Sequence, residues 1–300
     1  MKLNLDTKPF CITGSDKFKI KDHSTQIKDL YKTKEEYESL LAEYREEIDE
    51  LQSRMYAHNR FGLLLIFQAM DAAGKDGTIG HVMSGVNPFG VEIHNFKRPS
   101  TLELEHDFLW RTSLRAPQRG TIGIFNRSYY EEVLVTKVHP EIILDTQRLP
   151  EELTKDLDKL FKHRYKDIAN YEKYLVRNGI HIMKFFLNVS KEEQGKRLIS
   201  RIEDVSKNWK FEENDVKERE YWDDYQEAYE EVINQTSTPK APWYVIPADD
   251  KKNMRLIVSQ LILEKLKTLP MSYPESSPAR QEELSKFINI IKKQSASNGD

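Results

Sequence analysis

Lys75 lies in the run Ala69-Met70-Asp71-Ala72-Ala73-Gly74-Lys75-Asp76-Gly77-Thr78, where small residues, one lysine and two flanking carboxylates follow one another. These residue types at this spacing suit phosphate chemistry. Small residues let the N–H groups of a turn close on an anion, the lysine adds a point charge, and Asp71 and Asp76 suit a cation that bridges phosphate oxygens. The match to the phosphate-loop pattern (Gly, four residues, Gly-Lys, then Ser or Thr) is partial. Ala69 takes the first Gly position, Gly74-Lys75 fit, and Asp76 stands where a metal-binding hydroxyl belongs. A small-residue turn carrying a solvated lysine gives the same pattern, so a second segment is needed to decide.

Several basic segments supply candidates. Asn126-Arg127 follow the apolar stretch GTIGIF, at the position where phosphate-loop enzymes carry a carboxylate that holds magnesium. An amide offers a cation its carbonyl oxygen without charge. Arg127 keeps its charge and can grip phosphate oxygens with two donors, or else form a surface ion pair with Glu131 or Glu132. Lys97-Arg98 close another apolar–polar stretch. Arg197 and Arg201, four apart on one helix face, precede the basic, aromatic loop Lys207-Asn208-Trp209-Lys210. That composition suits a lid over phosphates; a solvated charged hairpin is the alternative. The eight His are scattered without HExxH or Cys/His spacing, there is no GxSxG, and Cys11 is the only cysteine. Zinc, serine-nucleophile and intrachain-disulfide chemistry are therefore not indicated.

The elements that must hold these residues can be read from periodicity. Residues 63–67 (LLLIF) read as a strand buried on both faces, followed by the loop and a helix. Further strands are expected over 91–96, 120–125, 181–189 and 243–246. Between them come an amphipathic helix over about 30–55, a helix after Ser100 opened by a Ser100/Glu103 capping box, and a long helix over 150–178. A second capping box is expected at Ser190/Glu193, a helical segment over 212–235, and a closing helix over 254–269. Strands alternating with helices predict an α/β fold: a five-stranded parallel sheet in a three-layer α/β/α arrangement. The organisation expected is an N-terminal extension with the long helix (1–60), a core (61–269) carrying a lid at about 195–235, and a tail (270–300) with a short helix over 284–291 before a frayed SASNGD end. A net charge of −3 gives no bulk attraction to nucleic acid, so an anion site must be a local basic patch. No apolar run approaches a membrane span and the N-terminus lacks a signal-peptide core, so no membrane partner and a cytoplasmic location are expected.

In this order, FQAMDAAGKDGTI, FKRPS, HDFLWR, IFNRSYYEEVLV, KRLISRIEDVSKNWKF and PWYVIPADDKKNMR resemble polyphosphate kinase family 2 over about residues 60–265. The resemblance implies a thymidylate-kinase-like phosphate-loop core with a helical lid. It also implies transfer of phosphoryl groups between inorganic polyphosphate and nucleotides (AMP, ADP, ATP) with Mg2+, and a homo-oligomer, dimer or tetramer. It assigns catalysis to Asp71, Lys75, Asn126, Arg127 and Arg197, with Asp71 and Asn126 as metal ligands. Phosphate and nucleotide binding is expected at Ala72, Ala73, Gly74, Asp76, Gly77, Thr78 and Glu131, with Lys97, Arg98, Arg201 and Lys210 lining a basic track for the polyanion. The family pattern usually has Asp where this chain has Asn126; the Asn resembles the subgroup that phosphorylates both AMP and ADP, called class III. The alternatives are an ATP-dependent nucleoside monophosphate kinase on the same core, or a non-catalytic nucleotide-binding protein.

Overall fold

The structure, a computed structural model, describes residue 3 and residues 5–296. It is organised around β2 (Gly62–Gln68), which is buried at every position. A run of Leu, Ile and Phe with no polar interruption cannot leave one face in water, so both faces are covered by helices. With β1 (Cys11–Ile12), β3 (Val91–Asn95), β4 (Ile122–Asn126), β5 (Ile180–Asn188) and β6 (Trp243–Pro247), it forms one sheet in the order β1-β6-β5-β2-β4-β3. The five expected strands pair in parallel. The sixth, β1, was not expected: two residues at the sheet edge run antiparallel to β6, Cys11 opposite Tyr244 and Ile12 opposite Trp243. Two residues are too few to leave a periodic signal.

From β2 the chain runs out to β3, returns to β4 beside β2 and then crosses to β5 on the other side of β2, so β2 stands at the point where the strand order reverses. In open parallel sheets, ligands bind outside the carboxyl ends of the strands at such a point. The register Phe67↔Asn126 and Gln68↔Phe186 brings the loop after β2 level with the end of β4.

Helix α1 (Lys34–His58) starts at Thr33, whose side chain accepts from the Glu36 N–H, and ends at Asn59 in the left-handed region. It begins four residues and ends three residues later than expected. Its buried face, including Tyr37, Leu40, Leu41, Tyr44, Ile48 and Met55, recurs at three- and four-residue steps. Ile48 and Met55 are wholly buried, each stabilising by about 1.5–3 kcal/mol. Helix α2 (Lys75–Val82) follows the loop, α3 (Leu157–Arg177) precedes β5, and α4 (Lys191–Glu203) leads into the lid. Helix α5 (Trp222–Thr236) leads back from it, and α6 (Lys251–Lys267) follows β6. α6 packs on α1 and α2, and α3 packs on α5 and β5.

Four expectations need correction. The helix expected over 150–178 is broken, because extended Asp156 caps Lys159 and restarts the helix as α3. The capping box at Ser100/Glu103 is present, but the helix it opens lasts one turn, and a second single turn follows at Trp110–Ser113. At Ser190 only half a box forms: its side chain accepts from the Glu193 N–H, whereas the Glu193 carboxylate turns to Arg197 Nε at 2.8 Å. The short C-terminal helix expected over 284–291 extends over Pro278–Ala296 as α7; of the SASNGD end, residues 297–300 lie outside the described residues.

Candidate active site

The turn after β2 is built from strained and tightly packed backbone. Ala72 has φ +58° and Gly74 has φ +107°. At Gly74 a Cβ would approach Met254 Cε to 3.3 Å in a conformation L side chains rarely adopt, which is why glycine stands there. Lys75 is buried, and its Nζ donates to the carbonyls of Ala69 at 2.7 Å and Met70 at 3.4 Å. Burial first, then the Arg127 charge, lowers its pKa, while Asp71, Glu131 and Asp76 oppose the shift.

β4 brings its end residues against this loop. Asn126 Nδ2 donates to Asp76 Oδ1 at 2.7 Å. Arg127 Nη2 donates to Asp71 Oδ1 at 3.0 Å, and its Nη1 lies 3.8 Å from Glu131 Oε2. Glu131 and then Asp71 raise the arginine's pKa against burial. The Glu131 carboxyl is pushed up by burial, with Arg127 and Lys75 opposing. Thus Asp71, Lys75, Asp76, Asn126, Arg127 and Glu131 converge at the carboxyl ends of β2 and β4.

Other expected residues sit differently. Arg197 is buried and engaged all round: Nη1 donates to Ala73 O at 2.7 Å, Nη2 to Ala248 O at 2.6 Å and Asp249 O at 2.9 Å, and Nε to Glu193. Its donors tie the β2–α2 loop to the β6–α6 loop, where a lid arginine facing the moving phosphate was expected. Thr78 is fully buried, with its hydroxyl turned back to Gly74 O at 2.9 Å and its N–H also bonded there; it lies behind the loop. Arg201 Nη1 lies 3.1 Å from Asp215 Oδ2 within the lid. Lys210 lies over the Trp209 ring at 5.0 Å. Lys97 and Arg98 are exposed just past β3, and the Lys97 carbonyl accepts from the buried Arg111 at 2.7 Å.

Further residues of the site carry no motif that sequence reasoning could use. Gln68 is wholly buried and donates to Ser128 Oγ at 3.1 Å. Gln194, on the inner face of α4, donates to Asp71 O at 3.0 Å and accepts from Arg219 at 2.5 Å, linking the lid's return to the loop. Lys251 is lowered in pKa by burial, then by Arg197, with Arg255 and Lys207 adding to this and Glu193 opposing. Arg197 and Arg255 approach the loop at Gly74 and Gly77.

The donor set tests the fit of a hard cation. Asp71 and Asp76 flank Lys75 in the loop, with Asn126 bonded to Asp76 and Arg127 to Asp71, so two carboxylates and one amide carbonyl are on offer around the loop. Magnesium is usually held by one or two carboxylates, with waters and substrate phosphates completing its shell, so this set fits. Among the described residues no group of three or more His, Cys, Asp or Glu forms a self-sufficient metal cage.

The description "Polyphosphate kinase 2 (PPK2)" matches residues 31–273. Among curated relatives, the ADP-polyphosphate phosphotransferase of Rhodopseudomonas palustris is 51% identical over 283 residues, 94% of this chain and 97% of the relative. The AMP/ADP-polyphosphate phosphotransferase of Meiothermus ruber is 42% identical over 241 residues, 80% of this chain and 85% of the relative. Among solved structures, the crystal structure of Polyphosphate Kinase 2 from Arthrobacter aurescens TC1 superposes with a TM-score of 0.83 at 35% identity, covering 95% of this chain and 98% of that one.

Proposed function

The chain belongs to the polyphosphate kinase 2 family, and from that premise we propose how its residues divide the work. The protein is a polyphosphate:nucleotide phosphotransferase. In the reading favoured here, the terminal phosphorus of polyphosphate is attacked in line by a terminal phosphate oxygen of AMP or ADP. The new P–O bond forms as the bridging P–O bond breaks, and the shortened polyphosphate leaves with the bridging oxygen. The acceptor is already an anion near neutral pH, so no strong base is required, and one phosphoanhydride replaces another, so the reaction runs both ways.

Catalysis is then positioning and charge neutralisation. The carrying observation is the convergence of Lys75 and Arg127 with Asp71 across the ends of β2 and β4. Lys75 and Arg127 stabilise charge on the moving group, and the backbone of Ala72, Ala73, Gly74, Asp76 and Gly77 cradles phosphate oxygens. Asp71, Asp76 and the Asn126 carbonyl would hold magnesium, which when bound neutralises and aligns phosphate oxygens. Arg197 keeps the loop in shape through Ala73 and Ala248. Lys97, Arg98, Arg201 and Lys210 line the path of the polyanion, with Arg201 exchanging Asp215 for phosphate.

The test is ATP formation by purified protein from ADP, and then from AMP, with polyphosphate and magnesium. Product should require both polyphosphate and the metal. Phosphorylation of AMP by ATP with no need for polyphosphate would favour a nucleoside monophosphate kinase, and tight nucleotide binding without turnover a binding protein. The two relatives named for ADP and for AMP/ADP make the acceptor ratio the informative second measurement.

A further inference from the structure

Behind the Asn126-Arg127 turn lies a buried ion pair. Lys184 of β5 is wholly buried, and its Nζ donates to Glu172 Oε2 at 2.6 Å and to the Thr236 carbonyl at 2.7 Å. Glu172, on α3, is 1% exposed. Its other oxygen, Oε1, accepts from two hydroxyls: Tyr129 at 2.9 Å and Tyr130 at 2.7 Å. Trp243 of β6 donates to Thr236 Oγ1 at 2.9 Å, so the group is closed on every side by hydrogen bonds from α3, α5, β5 and β6.

A pair like this is a poor way to gain stability. Two charges lose their hydration, and apolar residues of the same volume often serve as well or better. What the pair does specify is position. Tyr129 and Tyr130 follow Arg127 by two and three residues, and Arg127 stands in the left-handed region, at φ +62°. A non-glycine residue persists there only where its surroundings over-determine it. On the N-terminal side the Arg127 N–H is tied to Phe67 O at 3.0 Å. On the C-terminal side Gln68 bonds Ser128, Ser128 accepts from the Tyr130 N–H at 3.1 Å, and both tyrosine hydroxyls end on Glu172.

We propose that the buried Glu172–Lys184 pair is a positioning device for the reaction: through Tyr129 and Tyr130 it locks the turn that aims the Arg127 guanidinium at the transferring phosphoryl group. Glu172 is suited to this because one carboxylate oxygen can take both hydroxyls while the other is held by the lysine. Lys184 fixes the carboxylate's orientation from the neighbouring strand. The inference rests on Arg127 acting in phosphoryl transfer.

Removing Glu172 or Lys184 alone strands a buried charge and risks the fold, so the test uses the hydroxyls. Tyr129→Phe and Tyr130→Phe keep the rings and their packing. Turnover of polyphosphate and ADP is measured for wild type, each tyrosine variant, Arg127→Lys, and each tyrosine variant combined with Arg127→Lys, with thermal melts confirming folded protein. The expected result is a loss of about tenfold in kcat, with a smaller change in KM, for a tyrosine variant on its own, and less than about twofold in the Arg127→Lys background, because residues acting through one group are not additive. An equal loss in both backgrounds, the signature of a merely structural role, overturns the proposal. So does unchanged kcat in both tyrosine variants. If Arg127→Lys leaves kcat at the wild-type value, the role given to Arg127 fails and this inference with it, whereas additivity with a slow Arg127→Lys enzyme sinks only the positioning claim.

Discussion

At the scale of single residues, Asn126 is an amide at a strand end where phosphate-loop enzymes carry a carboxylate, and the structure gives it a partner. Its amide donates to Asp76 at 2.7 Å; a carboxylate there would face another carboxylate at hydrogen-bond distance. Asn126→Asp is therefore expected to lower the half-saturating magnesium concentration, because a divalent cation relieves that repulsion. The added charge should repel ADP more than AMP and raise the AMP-to-ADP rate ratio. Initial rates against magnesium for both acceptors check this; if neither quantity moves, Asn126 leaves the active-site list. Glu131 supplies a pH signature. Burial raises its carboxyl pKa over the opposition of Arg127 and Lys75. A folded-state pKa above the unfolded one contributes stability at low pH that is lost as pH rises through the folded value. Glu131→Gln cannot ionise, so its melting temperature relative to wild type should climb from about pH 4 upward and level off once wild-type Glu131 is ionised. A difference that falls with pH would mean that the attraction of Arg127 outweighs burial. The Arg127–Glu131 pair, four residues apart, was among the alternatives the sequence offered, whereas the Asn126–Asp76 bond was not legible: the two are 50 residues apart, and only the register of β2 with β4 brings them together.

At the scale of elements, the sequence was most informative where a single physical cause dominates. The LLLIF run could only be a strand covered on both faces, and α1 announced itself by buried residues from Tyr37 to Met55. It was silent where structure depends on one side chain or on distant pairing. Asp156 restarts a helix that periodicity alone would continue, and β1 exists because β6 lies beside it. The lid returns in three pieces, Asn208–Lys210, Glu213–Glu218 and Arg219–Tyr221, before α5. Arg197 illustrates the limit most sharply. Its place one turn from Arg201 suggested a lid cation, yet its donors join two loops through the carbonyls of Ala73, Ala248 and Asp249. A lysine has the charge but not the planar fork, and it cannot span both loops. Arg197→Lys is expected to cost about 2–4 kcal/mol of stability, from lost charge-assisted bonds and unsatisfied carbonyls, and to slow turnover because the phosphate loop loosens. Thermal or denaturant unfolding beside steady-state rates tests it. A fully stable but inactive variant would instead return Arg197 to direct contact with phosphate.

At the scale of the whole molecule, a chain of net charge −3 must bind a long polyanion. Self-repulsion is avoided only if cations are gathered at one end of the sheet and left without acidic partners there. Lys97 and Arg98 fit: both are exposed past β3, and among the described residues neither lies in a salt bridge. Arg201 is different, because Asp215 already holds it at 3.1 Å, so phosphate must displace a carboxylate before this arginine contributes. The two kinds of cation should separate in a salt titration. Each free cation neutralising a phosphate releases condensed counterions, and for a flexible single-stranded polyanion the slope of log K against log salt changes by about 0.7 per contact. Lys97→Ala with Arg98→Ala should reduce the slope by about 1.4, twice that single-contact value, and weaken binding most at low salt. Asp215→Asn should strengthen binding, since it frees Arg201 from its internal partner without removing a cation. Polyphosphate titrations at fixed magnesium across a salt series measure both effects. A slope unchanged by loss of Lys97 and Arg98 would move the polyanion's path away from β3, toward the cations on the α6 side of the loop, Lys251 and Arg255, whose charges already press on one another.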